Sequence, residues 1–212
     1  MAERNDDVWR LVLGSLVSGI AHDLNGRLTA LGGVAHMART AGLDVKLMSI
    51  LDEEVQRLAS STLQLRALPL APHGDPVPVR LGDLVQELAG LYTHRSGPRR
   101  PVVKVEGDLA ISATTEPGAL AEATLLLLAA SEATSPVGVS ALLIQIGARD
   151  GRAVLRIEGV PRERGKADNA YVDADAAAVS AEARLESCGA RLTVESAEST
   201  TRYTIELPQF AP

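Results

Sequence analysis

The stretch Ser18-Gly19-Ile20-Ala21-His22-Asp23-Leu24-Asn25-Gly26-Arg27-Leu28-Thr29-Ala30-Leu31 decides how this chain is read. It lies inside a long segment whose apolar residues recur at helical spacing. With Ile20 set at zero, Leu13, Val17, Leu24, Leu28, Leu31, Val34, Ala35 and Ala38 all fall within roughly 80° of one line at 100° per residue. His22 falls about 200° round, so an imidazole is expected in solvent midway along a helix. Asp23 follows it directly. An exposed imidazole is a nucleophile when its lone pair reaches another molecule. A neighbouring carboxylate can fix the tautomer and steady the cationic ring. Most exposed His-Asp pairs do neither, so the pair needs its context.

That segment runs from about Asp7 to Ala41, with Asn5, Asp6 or Asp7 able to cap its start and Gly42 placed to stop it. Gly32-Gly33 inside it suggest close packing or a bend. Asp44 can cap a second helix to about Leu68, with Leu47, Leu51, Val55, Leu58, Thr62 and Leu65 as its stripe. So short a connection implies an antiparallel hairpin. One hairpin cannot bury both stripes, whereas two copies can as a four-helix bundle, and a homodimer is expected.

Pro69, Pro72, Pro76 and Pro78, with Gly74 among them, break the helical pattern. They divide the chain into a hairpin over 1–70, a linker over 71–78 that holds a solvated His73, and a second domain over 79–212. There the pattern predicts a short strand Val77–Leu81, a helix Leu81–Tyr92, and strands Val102–Glu106 and Ala110–Ala113. An apolar helix Pro117–Ser131 follows, then strands Val139–Ala148 and Arg152–Gly159 joined by the hairpin signal Arg149-Asp150-Gly151. A helix Ala174–Ser187 and a last hairpin, Arg191–Ser196 with Arg202–Leu207, close the chain. The expected fold class is α+β: an antiparallel helical hairpin, then an α/β sandwich with helices on one face of a mostly antiparallel sheet. His94, with Arg95, Arg99 and Arg100, reads as a solvated basic turn, and His36 as an outward residue without an acidic neighbour.

The bulk numbers narrow the function. The chain has 212 residues and is 46% hydrophobic, enough for a packed core. Aromatics are 2% and the net charge is −6, which argues against nucleic-acid partners. The single cysteine, Cys188, cannot form an intrachain disulfide and reads as a packed small residue in a reducing, cytoplasmic compartment. The run Leu11–Ala21 is too short to span a membrane, and no membrane association is expected.

The two helices with His-Asp on the first, a linker and this α/β order together resemble the catalytic core of bacterial sensor histidine kinases. Gly19-Ile-Ala-His-Asp-Leu-Asn is similar to that family's phosphoacceptor box. The resemblance implies that His22 is the phosphoacceptor and that Asp23 orients and activates it. Asn25, Gly26 and Arg27 are possible supporting residues, Arg27 by offsetting phosphate charge or simply as an edge residue of the stripe. Arg27 stands where family members usually carry proline. Gly26 stands where those with phosphatase activity often carry Thr or Asn.

The second part resembles the kinase ATP-binding domain with its nucleotide chemistry removed. The stretch matching the asparagine-bearing, magnesium-holding box is Leu125-Leu-Leu-Leu-Ala-Ala-Ser-Glu-Ala133, which has no Asn. The strand that should end in Asp-x-Gly-x-Gly ends as Arg156-Ile-Glu-Gly-Val-Pro161. Clustered glycines normally bring backbone N–H groups to phosphate, and Gly159 alone cannot. The combination resembles histidine phosphotransferases built on a degenerate kinase body, the ChpT type, through His22-Asp23-Leu24-Asn25-Gly26. It implies a two-component phosphorelay in which phosphate passes between receiver-domain aspartates through His22. The partners would be response-regulator receivers or a hybrid kinase. No cofactor of the chain's own is implied, since magnesium would come with the receiver. The start of the chain without a sensor domain suits a free cytoplasmic relay. Two other expectations remain open: a non-catalytic dimeric pseudokinase scaffold, and a divergent ATP-dependent kinase core.

Overall fold

A computed structural model describes residues 2–41, 44–66, 68–69, 74–95, 101–135, 137–163, 172–197 and 200–210. The loop positions Arg99 and Arg100, the linker His73 and the stop Gly42 lie outside the described residues. Helix α1 spans Ala2–Ala41 and α2 spans Val45–Arg66. Asp44 caps α2: its side-chain Oδ1 accepts from Leu47 N at 2.7 Å and its carbonyl from Met48 N at 3.0 Å. That satisfies N–H groups the first helical turn cannot pair itself. The two helices pack as a hairpin. None of the described helices is long and apolar enough to cross a membrane.

The body follows as β1 (Val77–Arg80), α3 (Leu81–Tyr92), β2 (Val102–Gly107), β3 (Ser112–Thr115), α4 (Pro117–Ala133), β4 (Val139–Arg149), β5 (Arg152–Pro161), α5 (Ala174–Glu186), β6 (Arg191–Ser196) and β7 (Thr201–Pro208). Strands β1 and β3 form a small antiparallel ladder. The main sheet has the order β2-β4-β5-β7-β6, parallel only between β2 and β4. The Arg149-Asp150-Gly151 signal makes the β4–β5 turn, with positive φ at Asp150 (53°) and Gly151 (73°), as the twist of a tight hairpin requires. The strand expected at Ala110–Ala113 sits two residues later. Asp108 takes up the earlier residues in a turn, accepting from Ala110 N at 3.0 Å.

The sheet is buried on one face by alternation. Leu142, Ile144 and Ile146 of β4, Ala153, Leu155 and Ile157 of β5, and Tyr203, Ile205 and Leu207 of β7 all point inward. Helix α4 lies in that core and is buried without a break from Ala119 to Ser131. Its start is set by Pro117 in the first turn and by the Glu116 carboxylate, which accepts from Gly118 N at 2.9 Å and also from Ala119 N. The lone cysteine, Cys188, is buried.

Helix α1 departs from its one-stripe reading. It begins at Ala2, ahead of the expected caps, and it carries a second buried line: Val8, Val12, Leu16 and Ile20, all in one core cluster with the body. This line packs on α4 and α5. Each such side chain gains about 1.5–3 kcal/mol from leaving water. Arg184 of α5 ties the three helices together, with Nε donating to Glu122 Oε2 at 2.8 Å and Nη2 to Asp6 Oδ1 at 3.2 Å. Of the expected stripe, Ile20 and Val34 are buried and Leu13, Leu24 and Leu31 half-buried, whereas Val17 and Leu28 remain exposed within one chain. Gly32 and Gly33 meet nothing within 4 Å, so among the described residues they serve no close packing.

Candidate functional site

The site is built where α1 crosses the end of α3. On the helical wheel, the line that packs on the body centres near Asp23 and Gly19, and His22 lies at its solvent edge. His22 is exposed and Asp23 half-buried. Gly19 is buried because a backbone lies against it: an added Cβ would stand 1.5 Å from the His94 carbonyl oxygen and 2.9 Å from the Arg95 carbonyl carbon. Only glycine permits that approach, so the phosphoacceptor-like box meets the body at van der Waals distance.

The end of α3 is made rigid to receive it. The turn continues past Tyr92, with His94 N donating to Leu91 O at 3.0 Å and Arg95 N to Tyr92 O at 3.2 Å. Arg95, at 3% exposed, donates from Nη2 to Glu132 Oε1 of α4. The Tyr92 hydroxyl donates to the other oxygen of Glu132 at 3.0 Å, and the Arg95 guanidinium lies 5.8 Å from the Tyr92 ring centroid. A buried charge held this way costs less than an unpaired one and fixes geometry in return.

From this turn His94 reaches across to α1. Its Nδ1 lies 2.7 Å from Asp23 Oδ2, and the two side chains are 13% and 22% exposed. The solvated basic turn expected around His94 is therefore corrected at both described positions. His94 is half-buried on Asp23, and Arg95 is buried on Glu132. Burying the guanidinium is made possible by a carboxylate 37 residues away, which no local pattern announces.

The supporting positions are more ordinary. Asn25 is exposed and its carbonyl accepts from Thr29 Oγ1 at 2.9 Å. Gly26 faces open space. Arg27 is half-buried, and its buried Nε has no hydrogen-bond partner among the described residues. His36 is exposed, well along the helix from the seam.

At the two stretches that the resemblance sets against the nucleotide boxes, the described groups Glu132 and Gly159 are engaged by the chain itself. Glu132 of α4 is bound to Arg95 and Tyr92. A Cβ at Gly159 would stand 2.8 Å from both the Ser131 carbonyl oxygen and Val139 Cγ1, so that glycine serves strand-to-helix packing and lines no cradle. These residues do not fit a magnesium-bound triphosphate, which needs free oxygen donors and several converging N–H groups. No group of three or more metal-ligating His, Cys, Asp or Glu side chains occurs among the described residues.

No protein-family profile and no curated protein sequence matches the chain. Solved structures do. Histidine kinase AdeS of Acinetobacter baumannii is similar over 88% of this chain and 97% of its own, at 14% identity and a TM-score of 0.51. A bacterial phosphotransferase matches over 92% and 95%, at 17% identity and 0.46. A histidine kinase from Burkholderia phymatum matches over 97% of both chains, at 18% identity and 0.45. At such identities the likeness is one of fold. The protein has a histidine-kinase-like fold, a helical hairpin followed by an α/β domain resembling the kinase ATP-binding domain.

Proposed function

We propose that the protein is a histidine phosphotransferase of a two-component phosphorelay, of the ChpT type, which passes phosphate between receiver aspartates through His22 and uses no ATP. The observation that carries this reading is the exposed His22 imidazole, followed by an acid, on the first helix of a histidine-kinase-like fold. A ring nitrogen lone pair forms the N–P bond as the acyl-phosphate P–O bond breaks, and that electron pair leaves with the receiver carboxylate. The other ring nitrogen keeps its proton, and a nearby carboxylate offsets the developing positive charge. Return transfer reverses each change. Such chemistry needs alignment and charge compensation more than covalent help from the protein, which a rigid helix supplies. Magnesium belongs to the receiver in this scheme, and the engagement of Glu132 by Arg95 and the close packing at Gly159 support a body without nucleotide.

The working unit in this reading is a homodimer. Val17 (43% exposed) and Leu28 (54%) on α1, with Val55 (50%) and Leu63 (60%) on α2, are apolar groups that a second hairpin would cover. The single cysteine suits the cytoplasm. The test is to mix the protein with receiver domains charged by radiolabelled acetyl phosphate and to look for acid-labile, base-stable label. Wild type gains it and passes it to a second receiver, whereas His22→Ala gains none. Relay through His22→Ala refutes the assignment.

The alternative of a non-catalytic scaffold draws on one observation: Asp23 is engaged by His94. A scaffold binds receivers or kinases and carries no label in the same assay. A divergent ATP-dependent kinase would instead bind nucleotide with micromolar affinity by calorimetry, and none is expected.

A further inference from the structure

We infer that His94 is a positioning residue for transfer at His22: the α/β body holds the acid beside the phosphoacceptor through the His94–Asp23 hydrogen bond. The inference rests on the phosphotransferase reading and deepens it. It also gives the body a task in place of nucleotide binding.

Three observations converge. The bond is short, 2.7 Å, and its two partners are largely shielded from water, where a hydrogen bond to a charged group is worth more than at the surface. The donor cannot drift, because its turn is pinned by Arg95 and Tyr92 on Glu132. The helix that carries the acceptor is held as well, because Gly19, one turn below on α1, lies against the His94 carbonyl itself. Asp23 is thus set from outside its own helix. A free aspartate on a helix samples several rotamers, and each would present a different charge position to the ring beside it. Fixing one rotamer before the receiver arrives removes that search from the reaction, and misplacement of such a group costs rate more than it costs binding.

The experiment compares three full-length proteins: wild type, His94→Leu and His94→Asn. Leucine fills the space and removes the donor. The amide nitrogen of asparagine sits at nearly the same reach as Nδ1 and restores one. Receiver domains charged with acetyl phosphate are screened for the one that loads wild type fastest. Single-turnover transfer is then followed at increasing receiver concentration. His94→Leu is expected to slow the saturating rate constant by about 10- to 100-fold, with the half-saturating receiver concentration unchanged. His94→Asn is expected to recover most of the rate. Wild-type rates in His94→Leu overturn the inference. So does an effect confined to half-saturation, or an asparagine variant as slow as the leucine one, since a purely structural seam would give either. If wild type itself takes no label, the phosphotransferase reading fails and this inference with it. A labelled wild type beside an unaffected His94→Leu removes the inference alone.

Discussion

Helices α4 and α1 are both long and apolar, yet they are finished differently. Helix α4 is buried on every side from Ala119 to Ser131, and nothing outside the chain is needed to complete it. Helix α1 buries one line, Val8 to Ile20, against the body, and shows water a second set that includes Leu11, Val17, Leu28 and Met37. The first is a core element. The second is clamped on one face and leaves apolar groups exposed on another, with His22 at the margin of the clamped face. A helix that must be held still and also meet partners needs both surfaces. One made only for stability would need one.

The contrast can be broken by a charge. Leu126→Asp in α4 buries a carboxylate with no partner, which costs several kcal/mol against a total stability of about 5–15. The expected outcome is loss of the cooperative melting transition by circular dichroism. Leu28→Asp on α1 should keep that transition and instead shift the proposed homodimer towards monomer by light scattering. Equal damage from both would erase the distinction.

Two glycines of α1 sharpen it on a smaller scale. Gly19→Ala forces apart backbones already in contact and is expected to cost about 1–3 kcal/mol or more, read by urea denaturation. At Gly14 an added Cβ meets nothing within 4 Å, so Gly14→Ala should stabilise by up to about 1 kcal/mol through helix propensity alone. Like signs at the two positions would mean that α1 is not clamped at Gly19.

The smallest effect concerns the sheet behind α4. Burial, aided by the charge of Asp175, raises the Tyr203 phenol to about 12. Its neutral form is therefore favoured in the folded state. The stability it contributes is whole below the ordinary phenol pKa near 10 and is lost as pH rises from there through about 12. Ultraviolet titration of wild type against Tyr203→Phe should show that the phenol lost in the variant ionises late. If all three tyrosines titrate together near 10, this side of the core is open to water.

Much of this was legible because it is local. Asp44 caps α2, Pro117 opens α4, and Asp150-Gly151 turn the β4–β5 hairpin, each because a residue's own chemistry suits one backbone shape. The outward imidazole was legible too, since the wheel at Ile20 leaves His22 on the far side. The clamp was not. Val8, Val12 and Leu16 lie on a wheel already apolar over much of its circumference, so periodicity could mark one stripe and miss the second. Nor does a lone histidine at the end of α3 announce a carboxylate 71 residues earlier. The weak signal available was Gly19 itself, an unforced glycine mid-helix that propensity alone disfavours.

The amino-acid order alone determined the succession of helices and strands and an imidazole facing water, because both follow from how near neighbours along the chain suit a backbone. Tertiary structure alone decided that Asp23 belongs to His94, that Arg95 is buried, and that the body grips the first helix beside His22. Those pairings join segments far apart in the chain, and a partner's identity is fixed only once the backbones have met.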